Sequence, residues 1–423
     1  MKAISVSHLS LSPTDAIKGI IEAAHRHEQY RLNGCINLVA SQNRISPTAL
    51  QFLGSSFAAK FTSGELGHRA HGGAKWLDHM EEIVADLAGR LFSPYHAELR
   101  PLSGSIANET LLMAFTKPGD TIIAPSALAG GHASVRPEGF AGFMGLRVVD
   151  LPYIDGGMTV DLDALEMMAV RENPRAIVMG TAKILFPYPV GDVVQIADRV
   201  GAKVIYDGAH VAGLIAGKQF QDPLADGAIA FTGSTQKTFP GPIGGLIVSR
   251  DEIIAERVRH VTRSRLDNYQ NSRVAAMGVV FAEMLAFGQT LASRIVKTAQ
   301  HLGAALDAQG LDVVGMHMGY TRSHMILLDT TRRGPAATFR KKLEELGIFT
   351  TATDIWSDDG APHTGLRLGA NDIARLSFAE KSVVDLASII ADVIMNRRDA
   401  RSLREDVVLL SKVHPRIDES FLL

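Results

Sequence analysis

The sequence predicts an α/β protein: a large domain on a mostly parallel sheet, followed by a smaller α+β C-terminal domain. Three observations carry this. Between residues 79 and 260, short apolar strands alternate with helical stretches, the pattern of a parallel sheet covered on both faces. The 423 residues are more than one ordinary core holds. A long helical stretch, Ser272–Gln309, then leads into a region with fewer strands. The expected division is an N-terminal helical arm over 1–35, a large domain over 36–285 and a small domain over 286–423.

The elements follow from periodicity. His79–Phe92 places Met80, Ile83, Val84, Leu87 and Leu91 on one helix face, and Ile106–Thr116 reads as a second helix. Strands are expected at Thr121–Ala124, Leu146–Leu151, Ala176–Met179, Lys203–Tyr206, Ala228–Phe231 and Gly245–Val248. Asp161–Arg171 and Val193–Val200 are helices between them. Beyond the long helix, strands are expected at Met325–Leu328 and Gly365–Leu368. Amphipathic helices lie near Ala336–Leu346 and Ala379–Met395.

Composition narrows the function. Hydrophobic residues make up 46% and charged residues 21%, ordinary globular values. A formal net charge of −2 offers no basic surface for nucleic acid or an anionic membrane. The single cysteine, Cys35, excludes a disulfide framework within the chain. The first residues lack a signal-peptide core, and no run of about 18 apolar residues is seen, so the expectation is a cytoplasmic protein outside the membrane.

In open α/β sheets ligands sit at the carboxyl ends of strands, and three such ends carry suggestive residues. Ser103-Gly104-Ser105 precedes a helix; it reads either as a serine N-cap or as a phosphate cup of free N–H groups and hydroxyls. Asp207 ends an apolar strand, as a helix N-cap or as a carboxylate that keeps a pyridine nitrogen protonated. Lys237, 30 residues later, sits among small hydroxyl residues and glycines, and reads either as an ordinary solvated lysine or as one that can form a Schiff base. Gly130-Gly131-His132 offers an imidazole for a cofactor ring. Arg367, amid apolar residues, suits either a substrate carboxylate or an internal ion pair.

With these residues in place, the chain resembles serine hydroxymethyltransferases and their relatives, pyridoxal 5'-phosphate (PLP) enzymes of fold type I, the aspartate-aminotransferase fold. The resemblance runs from about Ile36 to Phe378. It rests on Asn37–Asn43, Ser103–Asn108, Gly130–His132, Asp207–Leu214, Lys237-Thr238 with Gly241-Pro242, and Gly365–Gly369. It implies Lys237 as the Schiff-base lysine, Asp207 on the pyridine nitrogen and His132 stacked on the ring. Ser103, Gly104 and Ser105 would hold the phosphate, with Gln236 beside the lysine. His210 would lie near the phenolic oxygen and the substrate. Ser41 and Arg367 would bind the substrate carboxylate. A homodimer with shared active sites is implied too.

Departures from the family pattern bear on the reaction. Lys60-Phe61-Thr62-Ser63-Gly64 puts Ser63 where the resemblance expects a glutamate needed for folate-dependent one-carbon transfer, and Phe61 where it expects a tyrosine. Ala70 and His71 replace two tyrosines, Gln236 replaces a histidine, and Thr350–Asp354 replaces a folate-binding segment. A hydroxyl is no base at neutral pH. The L-threonine transaldolases, a diverged branch, look similar in the Lys183 context, in Gly319-Tyr320-Thr321 with His324, and before Arg367. Ser63 and Lys183 are accordingly expected at the substrate site. The implied reaction cleaves L-threonine to acetaldehyde and adds the glycyl carbanion to another aldehyde, giving a β-hydroxy-α-amino acid. Alternatives are a threonine aldolase, a hydroxymethyltransferase, and a PLP-fold protein kept only for binding. The joint presence of Lys237, Asp207, His132 and Arg367 speaks against the last.

Overall fold

Near-continuous runs of Val, Ile and Ala give strands with two buried faces, and such strands form the centre of the molecule. A computed structural model describes residues 11–32, 34–154, 156–356, 363–413, 417, 420 and 421. The central sheet has seven strands: β1 (His96–Glu98), β2 (Thr121–Ala124), β3 (Arg147–Asp150), β4 (Ala176–Met179), β5 (Lys203–Asp207), β6 (Ala230–Ser234) and β7 (Gly245–Ser249). Their order is β1-β7-β6-β5-β4-β2-β3. Strands β3, β2, β4, β5 and β6 pair in parallel, and β7 runs antiparallel to both its neighbours. Side chains alternate between two cores. Ile123, Ile177, Met179, Val204 and Tyr206 enter one, and Ile122, Ala124, Val178 and Ile205 the other.

The helices that cover the sheet include α2 (Lys75–Phe92), α3 (Gly104–Phe115), α4 (Leu162–Glu172), α5 (Val190–Arg199) and α6 (Glu252–Arg265); α1 (Pro13–Leu32) precedes them and buries none of its residues. Helix α7 (Asn271–Ala308) has 38 residues and is about 57 Å long at 1.5 Å per residue. Its first part, from Val274 to Ile295, packs into the core of the large sheet. From Ala299 to Leu306 it packs into a separate core. The cores therefore change between Ile295 and Ala299, beyond residue 285, without a break in the helix. Among the described residues α7 is the one helix long and apolar enough to cross a membrane by length and composition. Of its most apolar window, 61% is buried inside the protein.

The second core lies under a four-stranded antiparallel sheet of β8 (Asp312–Val313), β9 (Met325–Asp329), β10 (Thr351–Ile355) and β11 (His363–Gly369), in the order β8-β9-β11-β10. Helices α8 (Ala336–Glu345), α9 (Glu380–Met395) and α10 (Ala400–Lys412) complete it. Ile36 and Leu38 also belong to this core, because Ile36–Asn37 pairs in parallel with Ile348–Phe349.

Candidate active site

The carboxyl ends of β4, β5 and β6, the Gly130–His132 turn beyond β2 and the N-terminus of α3 open onto one cavity. Asp207, the last residue of β5, is buried there. Its Oδ2 accepts from Asn108 Nδ2 at 2.7 Å and its Oδ1 from the Ala209 N–H at 3.0 Å. Asn108 is itself held, its Oδ1 accepting from Thr232 Oγ1 at 2.7 Å and its Nδ2 lying 3.1 Å from Ser134 Oγ. Two charge-assisted hydrogen bonds aim the carboxylate and leave it acceptor capacity towards the cavity.

Lys237 follows the end of β6. Its carbonyl accepts from Asn43 Nδ2 at 2.7 Å, and the next residue, Thr238, donates through Oγ1 to the His210 carbonyl at 2.9 Å. Burial pushes the Lys237 amine down to about 8; Arg367 adds to this and Asp207 opposes it. His132 lines the cavity with its Nδ1 accepting the Ser134 N–H at 3.1 Å, which fixes the ring. His210 also lines it and is buried, with Nδ1 at 3.3 Å from His324 Nε2.

The other expected residues divide. Gly104 and Ser105 line the cavity. Ser103 caps α3, its Oγ accepting the Ile106 N–H at 3.1 Å, and does not line it. Gln236 stands behind the wall with Oε1 buried and without a partner among the described residues. Arg367, in β11, donates through Nη1 at 2.7 Å to the carbonyl of Ala182, a lining residue. Its Nε is buried without a hydrogen-bond partner, and burial lowers its affinity for protons. Ser41 follows Ala40, whose carbonyl meets His324 Nε2 at 3.1 Å. Lys183 Nζ donates to the Leu128 carbonyl at 2.9 Å and to the Asp354 carbonyl, so it ties the turn before His132 to β10; burial pushes it down to about 8. Ser63 is not brought to this cavity within the chain. Its Oγ lies 3.1 Å from Asp267 Oδ1, on the loop between α6 and α7. Asn108, Thr232 and Ser134 escaped the sequence reading as site residues. The one available signal was an asparagine on the apolar face of α3.

These residues fit PLP. A Cβ on Gly104 would lie 2.4 Å from Ser234 Oγ, so only glycine leaves the α3 N-terminus open beside β6. Free N–H groups there suit a phosphate, and a held carboxylate and a desolvated lysine face the same space.

The serine hydroxymethyltransferase family model matches residues 15–390. The chain belongs to this family. A serine hydroxymethyltransferase of Methanopyrus kandleri is 35% identical over 408 residues, 96% of this chain and 95% of that one. That of Picrophilus torridus is 37% identical over 390 residues, 91% and 90% of the two chains. A crystal structure of L-threonine transaldolase from Pseudomonas fluorescens in the internal aldimine state superposes with a TM-score of 0.87 at 25% identity, covering 96% of this chain and 94% of that one. As a member of the family, the chain is a PLP-dependent transferase of fold type I.

Proposed function

We propose that this family member is an L-threonine transaldolase. It cleaves the Cα–Cβ bond of L-threonine, releases acetaldehyde and joins the glycyl unit to a second aldehyde. The observation that carries the reading is Ser63, a hydroxyl where folate-dependent one-carbon transfer calls for a carboxylic acid. The nearest acid on the same hairpin, Glu65, is engaged by Arg263 at 3.2 Å and Arg100 at 3.7 Å.

The chain's own residues supply the rest. PLP, when bound, provides an electron sink for a carbanion at Cα. With the cofactor bound, Asp207 would hold a proton at the ring nitrogen, Lys237 would supply a largely desolvated amine, and His132 would cover one face of the ring. Arg367 offers its unpartnered Nε to the amino-acid carboxylate. Thr351 lies opposite Arg367 in the β10–β11 register, so the Thr350–Asp354 segment borders the substrate. We place the enzyme as a homodimer with shared sites, in the cytoplasm.

A second reading has its own observation. Asp267 Oδ1 sits against Ser63 Oγ, so a carboxylate lies beside the expected position and a hydroxymethyltransferase with a relocated acid is the competitor. The test compares two rates: acetaldehyde release from L-threonine with a panel of acceptor aldehydes, and methylene-tetrahydrofolate formation from L-serine. The expected folate rate is the lower by about two to four orders of magnitude. A dominant folate rate that collapses in Asp267→Asn would establish the competitor.

A further inference from the structure

His324 is fully buried and is not among the residues that line the cavity. It nevertheless meets two groups at once through a single atom. Its Nε2 lies 3.1 Å from the Ala40 carbonyl oxygen and 3.3 Å from His210 Nδ1. Its ring stacks on that of His210, with centroids 5.4 Å apart and planes at 21°. A carbonyl only accepts hydrogen bonds. If His324 Nε2 carried a lone pair, two lone pairs would face each other at Ala40, and the proton on His324 Nδ1 would be buried without an acceptor, because that nitrogen has no partner among the described residues. With the proton on Nε2, the same N–H serves Ala40 and His210, and only an acceptor lone pair goes unused. An unmet buried donor together with a repelled carbonyl costs more than one unmet acceptor.

The assignment propagates. His210 Nδ1 must then be the acceptor of the shared N–H, which leaves the His210 proton on Nε2, the ring edge that remains for the cavity. We propose that His324 is a positioning residue: it fixes His210 in the Nε2–H form, so that His210 meets cofactor and substrate as a hydrogen-bond donor and not as a base. A proton taken from the substrate hydroxyl then goes to an acceptor other than His210. Double protonation of the pair is opposed by burial, and by Lys237 and Arg367 nearby; both imidazoles are held below their ordinary range, His324 at about 3. The inference concerns the tautomer alone and holds for threonine or serine as substrate.

The test reads the tautomer directly. Holoenzyme labelled with 15N-histidine is examined by long-range proton–nitrogen correlation, with His210 assigned by its loss in His210→Gln. The expected His210 has an unprotonated Nδ1 and a protonated Nε2, unchanged between pH 6 and 9. Two variants follow. His324→Gln keeps an amide that can donate to both Ala40 and His210, so it should retain the His210 tautomer and most of kcat. His324→Phe removes the donor and should mix the His210 tautomers and lower kcat by about a hundredfold, with KM for the amino acid little changed. A wild-type His210 with its proton on Nδ1 overturns the proposal, and this result needs no variant to fold. A folded His324→Phe enzyme with the original tautomer and full kcat overturns it as well.

Discussion

Asp207, Lys237 and Arg367 are each placed where water is scarce, and each answers differently. Asp207 is compensated by hydrogen bonds from Asn108 and the Ala209 N–H. Arg367 keeps its charge, and its unmet Nε makes it a ready partner for a carboxylate. For Lys237 the loss of water outweighs the attraction of Asp207, and the amine gives up its proton more readily. With the amine at about 8 in place of 10.5, roughly a quarter is neutral at about pH 7.5, against about a thousandth for an ordinary lysine. Reconstitution of the stripped enzyme with PLP, followed by absorbance, should therefore accelerate with pH, with a midpoint at about pH 8 and a plateau from about pH 9. A rate still climbing beyond pH 10 would show an unperturbed lysine. These three residues stood out in the sequence, because a charged residue at the end of an apolar run is anomalous. Asn108 and His324 entered only as members of matching stretches, with no role of their own. What makes them notable is the neighbour each one meets, and those neighbours lie far off in the chain.

At the scale of elements, periodicity found the strands and helices that bury a face, and it failed where a strand turns polar. β6 was expected to stop at Phe231, yet it runs on to Ser234, because Thr232 pairs with Asp207 and Gly233 with Leu246. Backbone partners hold those residues extended whatever their hydropathy, on both sides at Thr232 and on the β7 side beyond it. β1, at the sheet edge, has only three residues and no alternation to read. Helix packing adds constraints that propensity does not contain. A Cβ on Gly278 of α7 would lie 2.6 Å from Val84 Cγ2 of α2, and a valine cannot swing away. Gly278→Ala gains about 1 kcal/mol in helix propensity and loses about 1–3 kcal/mol to overpacking. The expected outcome is net destabilisation, seen as a melting midpoint lower by a few degrees. Gly89→Ala in α2, where nothing lies within 4 Å, should raise the midpoint. If both substitutions stabilise, the two helices are not packed this closely.

Over the whole molecule, the segment bearing Ser63 and the loop bearing Asp267 form one unit. Arg69 and Arg100 lie over the Tyr269 ring, Asn271 donates to the Lys60 carbonyl, and Arg263 pairs with Glu65. This unit stands apart from the chain's own cavity. Helix α1 exposes Ile17, Ile20 and Ile21 and buries no residue. Both features call for a second copy, since apolar surface of this kind usually meets a partner. Sedimentation of the active enzyme should give a dimer or larger, and Ile20→Asp with Ile21→Asp should weaken it. A fully active monomer would remove Ser63 from any shared site.

By itself the sequence carried the α/β class and, through motifs that resemble the family's, the cofactor, because periodicity and short motifs are local properties. Only the tertiary structure decided that Ile36 and Leu38 belong to the core of the small sheet, that one helix serves both cores and changes over near residue 297, and that Ser63 faces Asp267. It also decided which nitrogen of His210 is left for the substrate. Each of these depends on groups that meet only after the chain has closed on itself, when burial removes the water that would otherwise satisfy them.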